Sequence, residues 1–161
     1  MTVSVRTRPL TPADEPLLVQ ATLGNLNWSG PRFTEHDVKS RAEFRHYTQL
    51  VPDRGDLGFV AERGGEPIGV AWAQFLPAHD PGYGFLDEST PEISLWARAD
   101  SRGLGVGRTL LRKLQQEAVD RGIASLSLSV EAGNYAKELY ADEGFRQVEG
   151  REDDGVMVWV H

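Results

Sequence analysis

Apolar and polar positions alternate, cluster and alternate again along this chain, and each change of period marks a change of element. From Val3 to Arg8 the valines alternate with polar residues, as in a strand. Thr11, Pro12 and Asp14 then supply a capping hydroxyl, a first-turn proline and an acid three residues on, so a first helix is expected to about Leu23. Residues 25–33, with Gly, Pro, Ser and Asn, read as loop, and Thr34 opens a second helical stretch through about Tyr47, with weak apolar spacing. Asp56 to Leu76 predicts a hairpin: Phe59, Val60 and Ala61, the turn Gly64-Gly65, then Ile68 to Phe75. Residues 77–91 show no periodicity, and so long a connection predicts a substrate-side loop.

The second half is sharper. Glu92 to Arg98 places Ile93, Leu95 and Ala97 on one face of a strand and Glu92, Ser94, Trp96 and Arg98 on the other, which is expected to line a cleft. From Gly105, the spacing of Val106, Leu110, Leu111, Leu114 and Ala118 predicts an amphipathic helix ending at Gly122. A two-residue alternation from Ala124 to Val130 is a half-buried strand. A short helix from about Asn134 to Glu143, the stop Gly144 and two strands, Phe145 to Glu149 and Val156 to Val160, complete a mixed α/β chain.

Composition narrows the class. At 161 residues, 40% apolar and 25% charged, one globular domain is expected. The absence of cysteine closes disulfide frameworks, thiolate metal sites and a cysteine-bound acyl intermediate. Residues 1–10 carry no apolar run of the signal-peptide or membrane-span kind, so a cytoplasmic protein is expected. The net charge of -7 argues against nonspecific partnership with nucleic acid or an acidic membrane. Against that background, Arg98, Arg102, Arg108, Arg112 and Lys113 face Asp100 alone within one short segment, a local excess of +4 suited to a polyanion.

Within this segment lies Arg102-Gly103-Leu104-Gly105-Val106-Gly107-Arg108, between a strand and the amphipathic helix. Amides without side chains approach a ligand closely, and a helix N-terminus adds free N–H donors and partial positive charge, a setting that fits a pyrophosphate. A Walker loop is excluded because Gly107 is followed by Arg108 rather than by Lys and Ser or Thr. A dinucleotide fingerprint is excluded because the third glycine comes one residue early. A tight turn whose glycines serve only packing stays open at this point.

The run Arg102-x-x-Gly105-x-Gly107 resembles the pyrophosphate loop of the GNAT superfamily of N-acetyltransferases. The hairpin with Gly64-Gly65 and Ile68-Gly69, the strand Glu92 to Ala97, the helix Val106 to Arg121 and Ala136, Tyr140, Gly144 and Phe145 follow in that family's order and spacing. The resemblance spans roughly Val3 to Val160. It implies a single domain, 1–161, whose central, twisted and mostly antiparallel sheet is flanked by about four helices. It also implies transfer of acetyl from acetyl-CoA to a primary amine of a small molecule or peptide by direct attack in a ternary complex, without a metal. A homodimer is compatible with it. The alternative on the same fold is a non-catalytic CoA-binding sensor or interaction module.

The resemblance assigns cofactor contacts to Trp96, Ala97, Arg102, Gly103, Leu104, Gly105, Val106, Gly107, Arg108 and Asn134, with Trp96 and Ala97 offering backbone groups to the pantetheine arm. Similar proteins carry Asn three residues before Ala136, where this chain has Gly133, so Asn134 is either a shifted pantetheine contact or a helix N-cap. An amine must lose a proton before it attacks a thioester, and Glu92 on the cleft face is the candidate base; its alternative is an exposed strand carboxylate. Tyr140, four residues before Gly144, is the candidate acid for the departing thiolate; its alternative is a core tyrosine. His36, His46, His79 and His161 have no metal spacing and are expected to be surface or helix residues, His79 alone standing near the acceptor. Asp80, Asp87 and Glu88 either attract a cationic amine or form a solvated acidic loop, and Trp28 is a candidate wall of the acceptor pocket.

Overall fold

A computed structural model of the protein describes residues 4–101 and 103–161. Val3, in the expected first strand, and Arg102, assigned to the cofactor, lie outside the described residues. Seven strands form one sheet: β1 (Val5–Pro9), β2 (Leu57–Arg63), β3 (Glu66–Gln74), β4 (Glu92–Ala97), β5 (Ser125–Ser129), β6 (Arg146–Gln147) and β7 (Val156–Val160), in the order β1-β2-β3-β4-β5-β7-β6. Every pairing is antiparallel except that of β4 with β5. Among the described residues, five α-helices accompany it: α1 (Glu15–Leu26), α2 (Glu35–Ser40), α3 (Ala42–Arg45), α4 (Val106–Arg121) and α5 (Ala136–Asp142).

The mixed, mostly antiparallel architecture is the expected one, with local differences. Helix α1 continues to Leu26, past the expected end at Leu23. The second helical stretch is broken in two at Arg41, whose backbone is extended. No continuous apolar stripe was present there to hold one longer helix on the core. At Thr34 the capping box forms: the Asp37 amide donates to the hydroxyl at 3.2 Å and the Thr34 amide to the Asp37 carboxylate at 2.9 Å. Strand β6 keeps only two of five expected residues.

Period-two alternation sends neighbouring residues of one strand to opposite faces of the sheet. Ala71 and Ala73 of β3, with Ile68 at the bulge opposite Ala61 and Glu62, join Leu110, Leu111 and Leu114 of α4 in one cluster, while Val70 and Trp72 meet Leu18 and Ala21 of α1 in the other. Truncating Leu110 or Leu111, both fully buried, to Ala is a change that costs about 2–5 kcal/mol in well-packed cores. Gly69 brings α4 close: a Cβ there would stand 2.7 Å from Val106 and 3.1 Å from the Trp96 carbonyl. The helix N-terminus is thereby set beside the end of β4.

Strands β4 and β5 share a single register pair, Glu92 with Ser127. Beyond it, no strand among the described residues covers that edge of β4. On the other edge, the Arg98 amide donates to the Ile68 carbonyl at 2.8 Å, in the register that pairs Trp96 with Val70. Antiparallel alternation then turns the backbone of Ser94 and Trp96 toward β3, and that of Leu95 and Ala97 toward the open edge.

Candidate active site

Where the two strands part, a cavity of about 450 Å³ opens between α1, β4, the end of β5 and α5. Glu92, Asn134 and Tyr140, three residues singled out in the sequence, all line it, and so does Trp28. No helix among the described residues is long and apolar enough to cross a membrane, and none of them forms a metal-binding cluster of three or more His, Asp or Glu.

Glu92 is not an exposed strand carboxylate: it is 4% accessible. The Tyr47 hydroxyl donates to its Oε2 at 2.7 Å, while Oε1 is buried with no hydrogen-bond partner among the described residues. Burial pushes the carboxyl up to about 7, against the pull of the Tyr47 hydroxyl and the Gly84 amide. Burial, together with the Glu92 carboxylate, holds the Tyr47 hydroxyl well above its ordinary range, so Tyr47 stays a donor.

Tyr47 carried no signal in the sequence. Its place is fixed by β3: the Trp72 indole donates to the Tyr47 carbonyl at 3.0 Å, and the Gln74 amide donates to the carbonyls of His46 and Gln49 at 2.7 and 2.9 Å. The loop 77–91 closes over the same carboxylate. A Cβ on Gly82 would lie 2.0 Å from Glu92 Oε1 and 2.5 Å from the Tyr47 hydroxyl, and one on Gly84 would lie 2.5 Å from the Leu128 carbonyl carbon. Only glycine allows the loop to sit so low, and the loop carries Tyr83 into the cavity wall.

The acids of this loop bond within it or tie it to its neighbour. Asp80 pairs with Nδ1 of His46 at 2.9 Å, Asp87 accepts from the Ser89 amide and hydroxyl, and Glu88 accepts from the Ala78 amide. His46, expected among surface or helix residues, opens a short 3-10 helix, His46–Thr48, and is buried.

Tyr140 projects from α5, is 7% accessible and packs edge-on against Phe145 at 5.9 Å. Burial raises its hydroxyl well above the ordinary tyrosine value, and among the described residues that hydroxyl has no hydrogen-bond partner. A neutral phenol with a spare proton therefore faces the cavity. Asn134 stands one residue ahead of the N-cap position, Tyr135, and its Oδ1 accepts from the Ala136 amide at 2.9 Å. It also lines the cavity.

The glycine loop adopts the conformation its residues allow. Gly103 and Gly105 have φ of 87° and 71°, and a Cβ on either would meet nothing within 4 Å. Gly105 begins α4 without a side-chain cap, so the first amides of α4 point at open space, as a phosphate cradle requires. Gly107 differs: a Cβ there would make ordinary contact with Leu95 and Leu139. Arg108 pairs with the acids at the end of α5. Its guanidinium is bound to Glu143 and reaches Asp142 at 3.5 Å, so it faces α5. The Trp96 backbone likewise faces β3, and its indole lies against Gly24 of α1; Leu95, which the motif did not single out, has the open-edge position beside Ala97.

This arrangement, an α/β sheet parted beside an uncapped helix N-terminus, has clear relatives. The family model described as "Acetyltransferase (GNAT) family" matches residues 22–145, and the chain belongs to that family. Among solved structures, it is similar to a GNAT-family acetyltransferase of Staphylococcus aureus Mu50, with a TM-score of 0.72 and 12% identity over 98% of this chain and 99% of that one. It is similar to the PaiA N-acetyltransferase of Thermoplasma acidophilum in complex with coenzyme A, with a TM-score of 0.70 and 17% identity over 98% and 99%. It is also similar to a ribosomal-protein-alanine N-acetyltransferase of Brucella melitensis, with a TM-score of 0.62 and 27% identity over 97% and 99%.

Proposed function

We propose that the protein is a cytoplasmic, single-domain N-acetyltransferase that moves the acetyl group of acetyl-CoA onto a primary amine within a ternary complex. One observation carries this reading: a buried carboxylate, Glu92, and a neutral buried phenol, Tyr140, open on one cavity at the parting of β4 and β5. The amides of residues 103–108 and the open edge of β4 at Leu95 and Ala97 fit the diphosphate and the pantetheine arm respectively, since glycine leaves the first open and β5 leaves the second uncovered. Bound there, acetyl-CoA supplies a thioester carbonyl to the amine.

Glu92, directly or through water, takes a proton from the ammonium, which frees the nitrogen lone pair to form the new C–N bond. As the C–S bond breaks, Tyr140 gives its proton to the sulfur, the nitrogen sheds its second proton to solvent to become the amide, and Tyr140 regains and Glu92 releases a proton to restore the site. The cysteine route through an acyl-enzyme is closed because the chain has no cysteine. Free-thiol release from acetyl-CoA across a panel of amines, paired with calorimetric binding of CoA, tests the reading. Binding with turnover is expected; CoA binding without turnover of any amine favours a non-catalytic CoA module, and no CoA binding defeats both.

A further inference from the structure

The acceptor half of the cavity has a character that points to one class of amine. Its walls include Trp28, Phe33, Phe44, Tyr47 and Tyr83. Phe33 and Phe44 meet edge-to-face at 4.9 Å, and the Arg41 guanidinium lies 5.3 and 5.0 Å from their ring centres, so this wall is held before any ligand arrives. Rings so placed bury apolar surface and attract a cation through their faces.

Among the described residues, four charged side chains line the cavity: Arg32, Glu92, Glu131 and Asp154. Arg32 is spent on Glu131, with N–H···O distances of 2.7 and 3.2 Å, and on the Leu26 carbonyl at 3.1 Å. Asp154 takes the Arg151 guanidinium at 3.0 Å. Glu92 is left as the one carboxylate on the cavity without a cationic partner, its Oε1 buried and unbonded among the described residues. Among the described residues, no cation lining the cavity is left over.

We propose that the acceptor is a primary monoamine on an uncharged aromatic or aliphatic body, with no carboxylate or phosphate and no second ammonium. This rests on the acetyltransferase reading above. An acceptor carboxylate would be desolvated among rings whose neighbouring cations, Arg32 and Arg41, are already held by Glu131 and Glu43. A second ammonium would find every other acid on the cavity already paired. The volume, shared with the acyl end near Tyr140 and Asn134, suits a body on the order of one ring system.

The decisive pair is 2-phenylethylamine and phenylalanine, which differ by one carboxylate, with spermidine and an alanine-initiated peptide as further arms. We expect kcat/KM for 2-phenylethylamine to exceed that of each of the others by at least about tenfold. We also expect Trp28→Ala to raise its KM severalfold with the KM for acetyl-CoA unmoved. Equal or better turnover of phenylalanine, spermidine or the peptide overturns the proposal while leaving the acetyltransferase reading intact. If no amine is turned over, that reading fails; calorimetric binding of 2-phenylethylamine but not phenylalanine to the CoA complex would still uphold the recognition argument, and equal or absent binding of both would end it.

Discussion

The Tyr47 hydroxyl donates to Oε2 of Glu92 at 2.7 Å, across 45 residues of sequence, and accepts from the Tyr83 amide at 2.8 Å. One phenol thus joins the candidate base to the loop that covers it. A donor to the charged form favours ionisation, so Tyr47 restrains the upward push of burial on Glu92.

Tyr47→Phe removes that donor, and the Glu92 carboxyl is expected to rise further above about 7. Because the base is the ionised form, the acidic limb of kcat/KM moves to higher pH and activity at pH 7 falls. A pH–rate profile from pH 5.5 to 9 reads this directly. A limb that stays in place would separate Tyr47 from the base, or Glu92 from catalysis.

Glu92→Gln is expected to slow turnover and to stabilise the fold. Below about 4.5 the carboxyl is protonated both folded and unfolded, so burial carries no ionisation penalty; from there through about 7 only the unfolded chain ionises. Wild-type stability therefore declines over that window, by an order of magnitude of about 3 kcal/mol. The Gln variant lacks the decline. Denaturant melts at pH 5 and pH 8 measure it, and an equal stability difference at both values would contradict the buried-acid account.

Gly82→Ala drives a methyl into Glu92 Oε1 and the Tyr47 hydroxyl, at 2.0 and 2.5 Å. Overpacking of this kind typically costs about 1–3 kcal/mol, and relief requires the loop to lift from the carboxylate. Reduced thermal stability should accompany faster amide exchange at Tyr83. Unchanged exchange there would mean the loop is not seated by this contact.

Tyr140→Phe separates chemistry from packing. Its hydroxyl has no hydrogen-bond partner among the described residues, so stability should hold or rise slightly. If Tyr140 protonates the sulfur, kcat drops by roughly 10²-fold or more, with CoA affinity little changed. Equal losses in turnover and affinity would assign Tyr140 to binding.

Gly105→Val and Arg108→Met divide the cradle between backbone and side chain. Valine at φ 71° is strained and fills the open space above the α4 amides, so the Kd for CoA should rise by about tenfold or more. Arg108 is engaged with Glu143 and Asp142, so its loss should reduce thermal stability while moving that Kd by less than about threefold. The reverse order would return the guanidinium to the phosphate.

Local signals carried much of the architecture. The apolar stripe from Val106 to Ala118, bounded by Gly105 and Gly122, determined α4; the alternation of Ile93, Leu95 and Ala97 determined the core face of β4. Both succeed because helix and strand periods repeat over a few residues and burial rewards them at once. The same locality explains why Glu92 and Tyr140 were legible as candidates, each sitting at a fixed offset within one element.

Only the tertiary structure decided what surrounds them. Tyr47 reaches Glu92, His46 reaches Asp80, and Arg32 reaches Glu131 across 99 residues; no periodicity records such pairings, because they depend on how separate elements pack. The break at Arg41, the two-residue β6 and the turn of Arg108 toward α5 are of the same kind. Periodicity and motif thus sufficed for most of the elements and for the place of the glycine loop, whereas the charge balance of the cavity was settled by contacts that exist only once the chain has folded.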